Sequence, residues 1–219
     1  MLATGVDACL GGWVAVSLRN GELESATVRK TFEHLLDLYP AGTVGVDIPI
    51  GLPDVPGRPA DAAARSVLGS LGRSVFDAFP RVILQAKSYE TAKSLCVERN
   101  WPKPSLQSFG MAKRIFEVEA AIGRHPDRTI IEVHPEVSFR HMNGEPLDYS
   151  KSSLGGWQHR WNLLESKGIH LSQDRGDLPL IDTLDAAAAA WSADRYGNDP
   201  SSCARYPGSS TSRDHTIWA

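Results

Sequence analysis

Within its first thirty residues the chain carries three apolar, strand-forming runs separated by turns too short to hold a helix. Leu2 to Asp7 is apolar and ends in a carboxylate, Gly11-Gly12 follows as a turn, and Trp13 to Leu18 reads as the next strand. Asn20-Gly21 is a tight-turn signal, after which Glu22 to Lys30 alternates around Leu23, Ala26 and Val28. Three sequential strands joined this way form an antiparallel meander. Thr31 then caps a short helix with Phe32, Leu35, Leu36 and Leu38 on one side, and Thr43 to Ile48 is apolar on both faces, as a central buried strand is. A strand–helix–strand step implies a right-handed crossover and a parallel neighbour. The expected fold is α/β, with a mixed sheet of three antiparallel strands followed by parallel ones, flanked by helices.

The rest of the chain supplies the flanking elements. Pro49 to Pro59 is a Pro/Gly-rich loop leading into a helical stretch from Ala60 to about Ser70. Pro80, Pro102 and Pro104 interrupt residues 71–104, where Tyr89 to Val97 is the helical candidate. Gln107 to Ile122 reads as a helix with Met111, Ile115, Val118 and Ile122 on one face, ended by Gly123. Thr129 to Val133 is the fifth strand, Pro135 sits at a first helical position, and Trp157, Trp161 and Leu164 mark a helix stopped by Gly168. The last helix runs from about Asp182 to Tyr196, with Gly197 beyond it. The expected organisation is one domain over residues 1–197, with a helical insertion at about 52–125. A Ser/Gly-rich tail, 198–219, is expected to be poorly ordered, with Ile217-Trp218 able to dock.

Composition bounds the function. A chain of 219 residues is long enough to fold around one core without a disulfide or metal staple. No run approaches the roughly 18 apolar residues of a membrane helix, and no basic stretch precedes an apolar leader. Cys9, Cys96 and Cys203 are scattered, with no C-x-x-C pair, which excludes a zinc finger and points to a reduced, cytoplasmic setting. The formal charge of −3 argues against a broad basic footprint for duplex nucleic acid, so any such work falls to local sites.

The local sites are acidic. Polar residues at the ends of buried strands project at the rim where α/β proteins place ligands. Asp7 follows the first strand, Asp47 lies within the fourth, and Glu132 and Glu136 surround the fifth. Asp182 and Asp185, three apart on the last helix, face the same way. Asp182 also suits an N-cap, and Asp7 a turn residue. Asp47 resists such readings, because an unpartnered buried carboxylate costs several kcal/mol. Carboxylates on one rim repel each other unless a cation neutralises them, and hard oxygen donors select Mg²⁺ or Mn²⁺.

The order Asp7, Asp47, Asp182-x-x-Asp185 resembles the ribonuclease-H-like superfamily, and its Holliday-junction resolvase branch in particular. The segments GVDACLGGWV, VGVDIPIGLP, the Arg58/Asp61/Arg65 stretch with RSVF and PR, EVHPEVSF and DTLDAAAAAW resemble domain-of-unknown-function family 429, described as predicted ribonuclease-H-like nucleases. The resemblance spans residue 3 to about 196. It departs at Ile181, where a further acid is expected. It implies a five-stranded ribonuclease-H-like sheet, metal ligation by Asp7, Asp47, Asp182 and Asp185, and catalysis by Asp7, Asp47, Asp185 and Glu132. Glu132 alternatively lies outside the metal shell and orients His134.

Other residues are candidates for substrate binding. Arg58, Arg65, Arg73 and Arg81 recur near the loop after Asp47 and suit phosphates, although each also suits a solvated helix face. His134 reads as a general acid or as a helix N-terminal residue, and Lys151 and Arg160 lie in a region able to close over the site. The leading expectation is a Mg²⁺- or Mn²⁺-dependent phosphodiester hydrolase acting on nucleic acid or a nucleotide. A non-catalytic binding domain of the same fold is the alternative. A nucleotide-binding kinase-like domain is disfavoured, because it needs two lobes and this length encodes one.

Overall fold

The computed structural model describes residues 1–171, 177–208 and 215–219. The expected meander is present as β1 (Leu2–Cys9), β2 (Gly12–Arg19) and β3 (Glu22–Arg29). Both hairpin turns need glycine, since Gly11 and Gly21 each hold φ of 84°. Thr31 caps α1 (Phe32–Leu38) by accepting from the His34 amide at 3.2 Å. The chain then crosses to β4 (Thr43–Val46), which lies parallel to β1 with Val6 opposite Val46.

Five helices follow before the next strand: α2 (Pro59–Leu68), α3 (Arg81–Leu84), α4 (Tyr89–Glu98), α5 (Leu106–Gly110) and α6 (Ala112–Arg124), with a 3₁₀ turn over Gly69–Ser74. The single helix expected over 107–122 is therefore two, broken after Gly110, and it runs through Gly123. β5 (Thr129–Val133) returns beside β4 in parallel. α7 (Pro135–Asn143), α8 (Leu154–Ser166) and α9 (Leu180–Asn198) complete the helices.

The sheet has seven strands rather than five, in the order β3-β2-β1-β4-β5-β7-β6. The additional pair is β6 (Arg205–Tyr206) and β7 (Ile217–Trp218), with β7 parallel to β5. Two-residue strands carry no alternation for a sequence to display. Ile217 and Trp218 are buried. Residues 209–214 of the tail lie outside the described residues.

One helix fixes the centre of the molecule. Ala186 to Ala190 of α9 are fully buried and lie against β1 and β4 at Gly5 and Gly45. A Cβ on Gly5 would stand 1.9 Å from the Ala186 carbonyl oxygen and 2.1 Å from the Ala190 amide nitrogen. On Gly45 it would stand 2.7 Å from the Ala189 oxygen. Small residues on both sides let helix and sheet approach to backbone contact, and so set the position of everything at the start of α9.

Candidate functional site

Side chains alternate along a strand, so Gly5 and Asp7 face one side, as do Gly45 and Asp47. That is the face covered by α9. Asp7 and Asp47 follow the paired residues Val6 and Val46, and the Asp47 amide donates to the Val6 carbonyl at 3.0 Å. The two acids are thus neighbours on adjacent parallel strands. α9 brings Asp185, one residue before its alanine run, to the same place. Its carboxylate is fully buried: Oδ2 accepts from the Lys151 ammonium, and Oδ1 has no partner. Asp182, half-buried in the first turn of α9, stands farther out.

Asp7, Asp47 and Asp182 border a cavity of about 290 Å³. Asp7, Asp47, Asp182, Glu132, His134, Glu136 and Lys151 line it, and residues 61–115 close the opposite wall with Asp61, Ser74, Phe76, Ser108, Met111 and Ile115. That second wall was not legible in the sequence. Its residues belong to the segment between β4 and β5, where helical periodicity marks an apolar face but not that the face lines a site.

The electrostatics follow from crowding. Burial raises the Asp7 carboxyl well above the usual carboxylate range, and Asp47 and Asp185 raise it further. Burial pushes Asp47 up to about 7, with Asp185 adding to the rise and Lys151 opposing it. Asp182 is raised by burial and by Asp185. Lys151 is raised, because attraction to Asp185, Asp47 and Asp7 outweighs its partial burial. Burial lowers His134 against the pull of Glu136, and its Nδ1 is buried without a partner.

Other expected site residues are held in ion pairs or lie off the cavity. Glu132 is opposite Val46 in register, so it points to the other face of the sheet from Asp47. Its oxygens are occupied: Oε1 accepts from Arg58 Nη1 at 2.7 Å, and Oε2 accepts from Arg58 Nη2 and, at 2.7 Å, from the Ile50 amide. Arg58 is buried, also donates to Asp61 and the Ile50 carbonyl, and is turned inward rather than toward a ligand. Arg65 pairs with Asp77, Arg81 with Glu119, and Arg73 is exposed on the 3₁₀ turn; none of the three lines the cavity. Buried Arg160 forks onto Glu136 and donates to the Tyr149 carbonyl at 3.1 Å. Of the basic candidates, Lys151 and His134 reach the cavity.

Among the described residues, no three His, Cys, Asp or Glu side chains are grouped as a ready-made metal cage. The donor chemistry nevertheless suits a hard divalent cation. The donors are carboxylate oxygens, they raise one another's proton affinity, and Asp185 Oδ1 is an orphaned buried acceptor. The counter-charge in this structure is the Lys151 ammonium.

No described helix is long and apolar enough to cross a membrane. No curated protein and no solved structure matches the chain. The sequence model of one family, described as "Protein of unknown function (DUF429)", matches residues 5–211, and the chain belongs to that family.

Proposed function

We propose that the protein is a divalent-cation-dependent phosphodiester hydrolase, a nuclease of ribonuclease-H-like architecture. The observation that carries this reading is that Asp7 and Asp47, from two parallel strands, line one cavity, while Asp185 of the last helix, near enough to raise the proton affinity of both, keeps an unpartnered carboxylate oxygen. The order of three antiparallel strands, a helix, parallel strands and a terminal helix supports it.

In this reading Asp7, Asp47 and Asp185 hold Mg²⁺ or Mn²⁺, with Asp182 at the mouth. When bound, such a cation supplies Lewis acidity toward a phosphoryl oxygen. The protein's own residues bind and orient. Lys151 offers a compact positive charge to a phosphate oxygen, while Phe76 and Met111 give a nucleobase an apolar wall. A cavity of about 290 Å³ is near the lower limit for a small-ligand site. With the arginines paired or away from the cavity, the favoured substrate is a nucleotide-sized segment, such as a single-strand end, rather than a duplex.

Titration with Mn²⁺ by calorimetry tests the site on the wild-type protein and on Asp7→Asn/Asp185→Asn. Loss of binding in the double variant is expected, and unchanged affinity would overturn the assignment. Cleavage of single-stranded, duplex and branched oligonucleotides with Mn²⁺ then tests the activity. The Lys151–Asp185 pair favours one second reading, a binding domain in which a lysine has replaced the metal. Mn²⁺ binding would exclude it.

A further inference from the structure

We propose that Lys151 is a resident counter-cation, which a divalent ion must displace from Asp185, and that it thereby couples metal loading to the arrival of a phosphate group. The inference rests on the metal-binding reading above and goes beyond it by assigning Lys151 a role in the order of binding.

The geometry carries it in three steps. First, the Asp185 side chain is 1% exposed and must have a cation, which Lys151 supplies. The Lys151 ammonium engages one Asp185 oxygen and leaves the other without a partner. Second, the lysine backbone is anchored while its head is held by the one carboxylate. Arg160 holds the Tyr149 carbonyl, Ser153 caps α8 through the Gly156 amide at 3.1 Å, and a Cβ on Gly156 would fall 2.0 Å from the Ser150 oxygen. From this anchored turn the four-carbon stem lines the cavity with its side chain 39% exposed, so the Asp185 pair is not closed off from solvent. Third, an ammonium donates and carries a full positive charge, so the partner that replaces a carboxylate in kind is another anion. Exchanging Lys151–Asp185 for Lys151–phosphate and Asp185–metal leaves both Lys151 and Asp185 with an opposite charge. Neither half of the exchange does so alone.

Mn²⁺ calorimetry on wild type, Lys151→Met and Lys151→Arg, each with and without a phosphorothioate-linked dinucleotide, tests the proposal without relying on cleavage. Lys151→Met is expected to bind Mn²⁺ roughly tenfold tighter than wild type in the absence of dinucleotide. The dinucleotide is expected to tighten Mn²⁺ binding to wild type and Lys151→Arg, but not to Lys151→Met. Equal or weaker binding by Lys151→Met, or an equal dinucleotide effect on all three proteins, overturns the role of Lys151 and leaves the metal site standing. Failure of wild type and Lys151→Met alike to bind Mn²⁺ overturns both readings. If Lys151→Met does not fold, the dinucleotide effect on wild type and Lys151→Arg still decides, and its absence overturns the coupling.

Discussion

Arg58 and Glu132 meet fork to fork inside the protein, 74 residues apart in sequence and with both side chains almost wholly removed from water. The pair ties the loop after β4 to β5, since Glu132 also accepts from the Ile50 amide and Arg58 donates to the Ile50 carbonyl at 3.1 Å. It extends to the insertion through Asp61, whose other oxygen accepts from the Ala78 amide at 2.7 Å. An arginine that reads in sequence as a phosphate ligand is a strut between the two walls of the cavity.

Removing one member of such a pair leaves an uncompensated buried charge. Arg58→Met is expected to cost about 3–5 kcal/mol in urea unfolding. Arg58→Lys is expected to recover little, because a single ammonium cannot reproduce the fork. Adding Glu132→Gln to Arg58→Met should restore part of the loss, with Asp61 still unpaired. A loss under about 1 kcal/mol for Arg58→Met would mean that the guanidinium is not needed where it lies, and would return it to the candidates for ligand binding.

The contact between α9 and the sheet predicts a second result. At Gly5 an added methyl meets backbone atoms of α9 that no rotamer change can move. Gly5→Ala is expected to cost about 3 kcal/mol and to weaken Mn²⁺ binding, since the helix that carries Asp185 must move away from Asp7. Gly123→Ala in α6 meets no atom within 4 Å and is expected to stabilise by up to about 1 kcal/mol. Equal effects in thermal unfolding at the two sites would contradict the packing described.

Sequence patterning reaches as far as local chemistry does. Short turns and alternation placed β1 to β3, the Thr31 cap placed α1, and the apolar run of 43–48 placed β4, although that strand stops at Val46. The candidates Asp7, Asp47 and Asp185 are brought near one another because Asp7 and Asp47 follow strand residues in fixed register and Asp185 precedes the alanine run that packs on those strands. Glu132 does not join them. One residue of alternation separates the two faces of β5, and its sequence is apolar on both. The fate of Arg58 depends on a partner 74 residues away, and β7 on a two-residue pairing. Neither leaves a periodic trace.

The end of the chain tightens the same loop from its other side. The His215 amide donates to the Ile50 carbonyl at 2.8 Å, Ala219 exchanges two backbone hydrogen bonds with Ala204, and Trp218 meets the Tyr196 ring edge-on at 4.8 Å between centroids. Deleting residues 215–219 exposes the cavities left by Ile217 and Trp218 and the edge of β5. At about 1.5–3 kcal/mol for each buried side chain, a loss of about 4 kcal/mol is expected. It would appear as a fall in thermal midpoint of the order of 10 °C. An unchanged midpoint would show that β7 does not belong to the cooperative unit.

Asp47 sets the pH dependence of the site. Its carboxyl is held at about 7 chiefly by burial; below that pH a proton occupies the oxygen that a cation needs. Mn²⁺ affinity is therefore expected to fall as pH drops from about 8 to 6, with proton release on binding measurable by calorimetry in buffers of different ionisation enthalpy. The metal-free protein should behave in the opposite sense. A folded carboxyl that titrates near 7 instead of the ordinary 3.8 keeps a proton that the unfolded chain gives up. The contribution of Asp47 to stability is therefore full below about pH 4 and is lost as pH rises to about 7. Asp47→Asn should flatten that decline and weaken Mn²⁺ binding at every pH. Mn²⁺ affinity independent of pH between 6 and 8 would remove Asp47 from the ligand set.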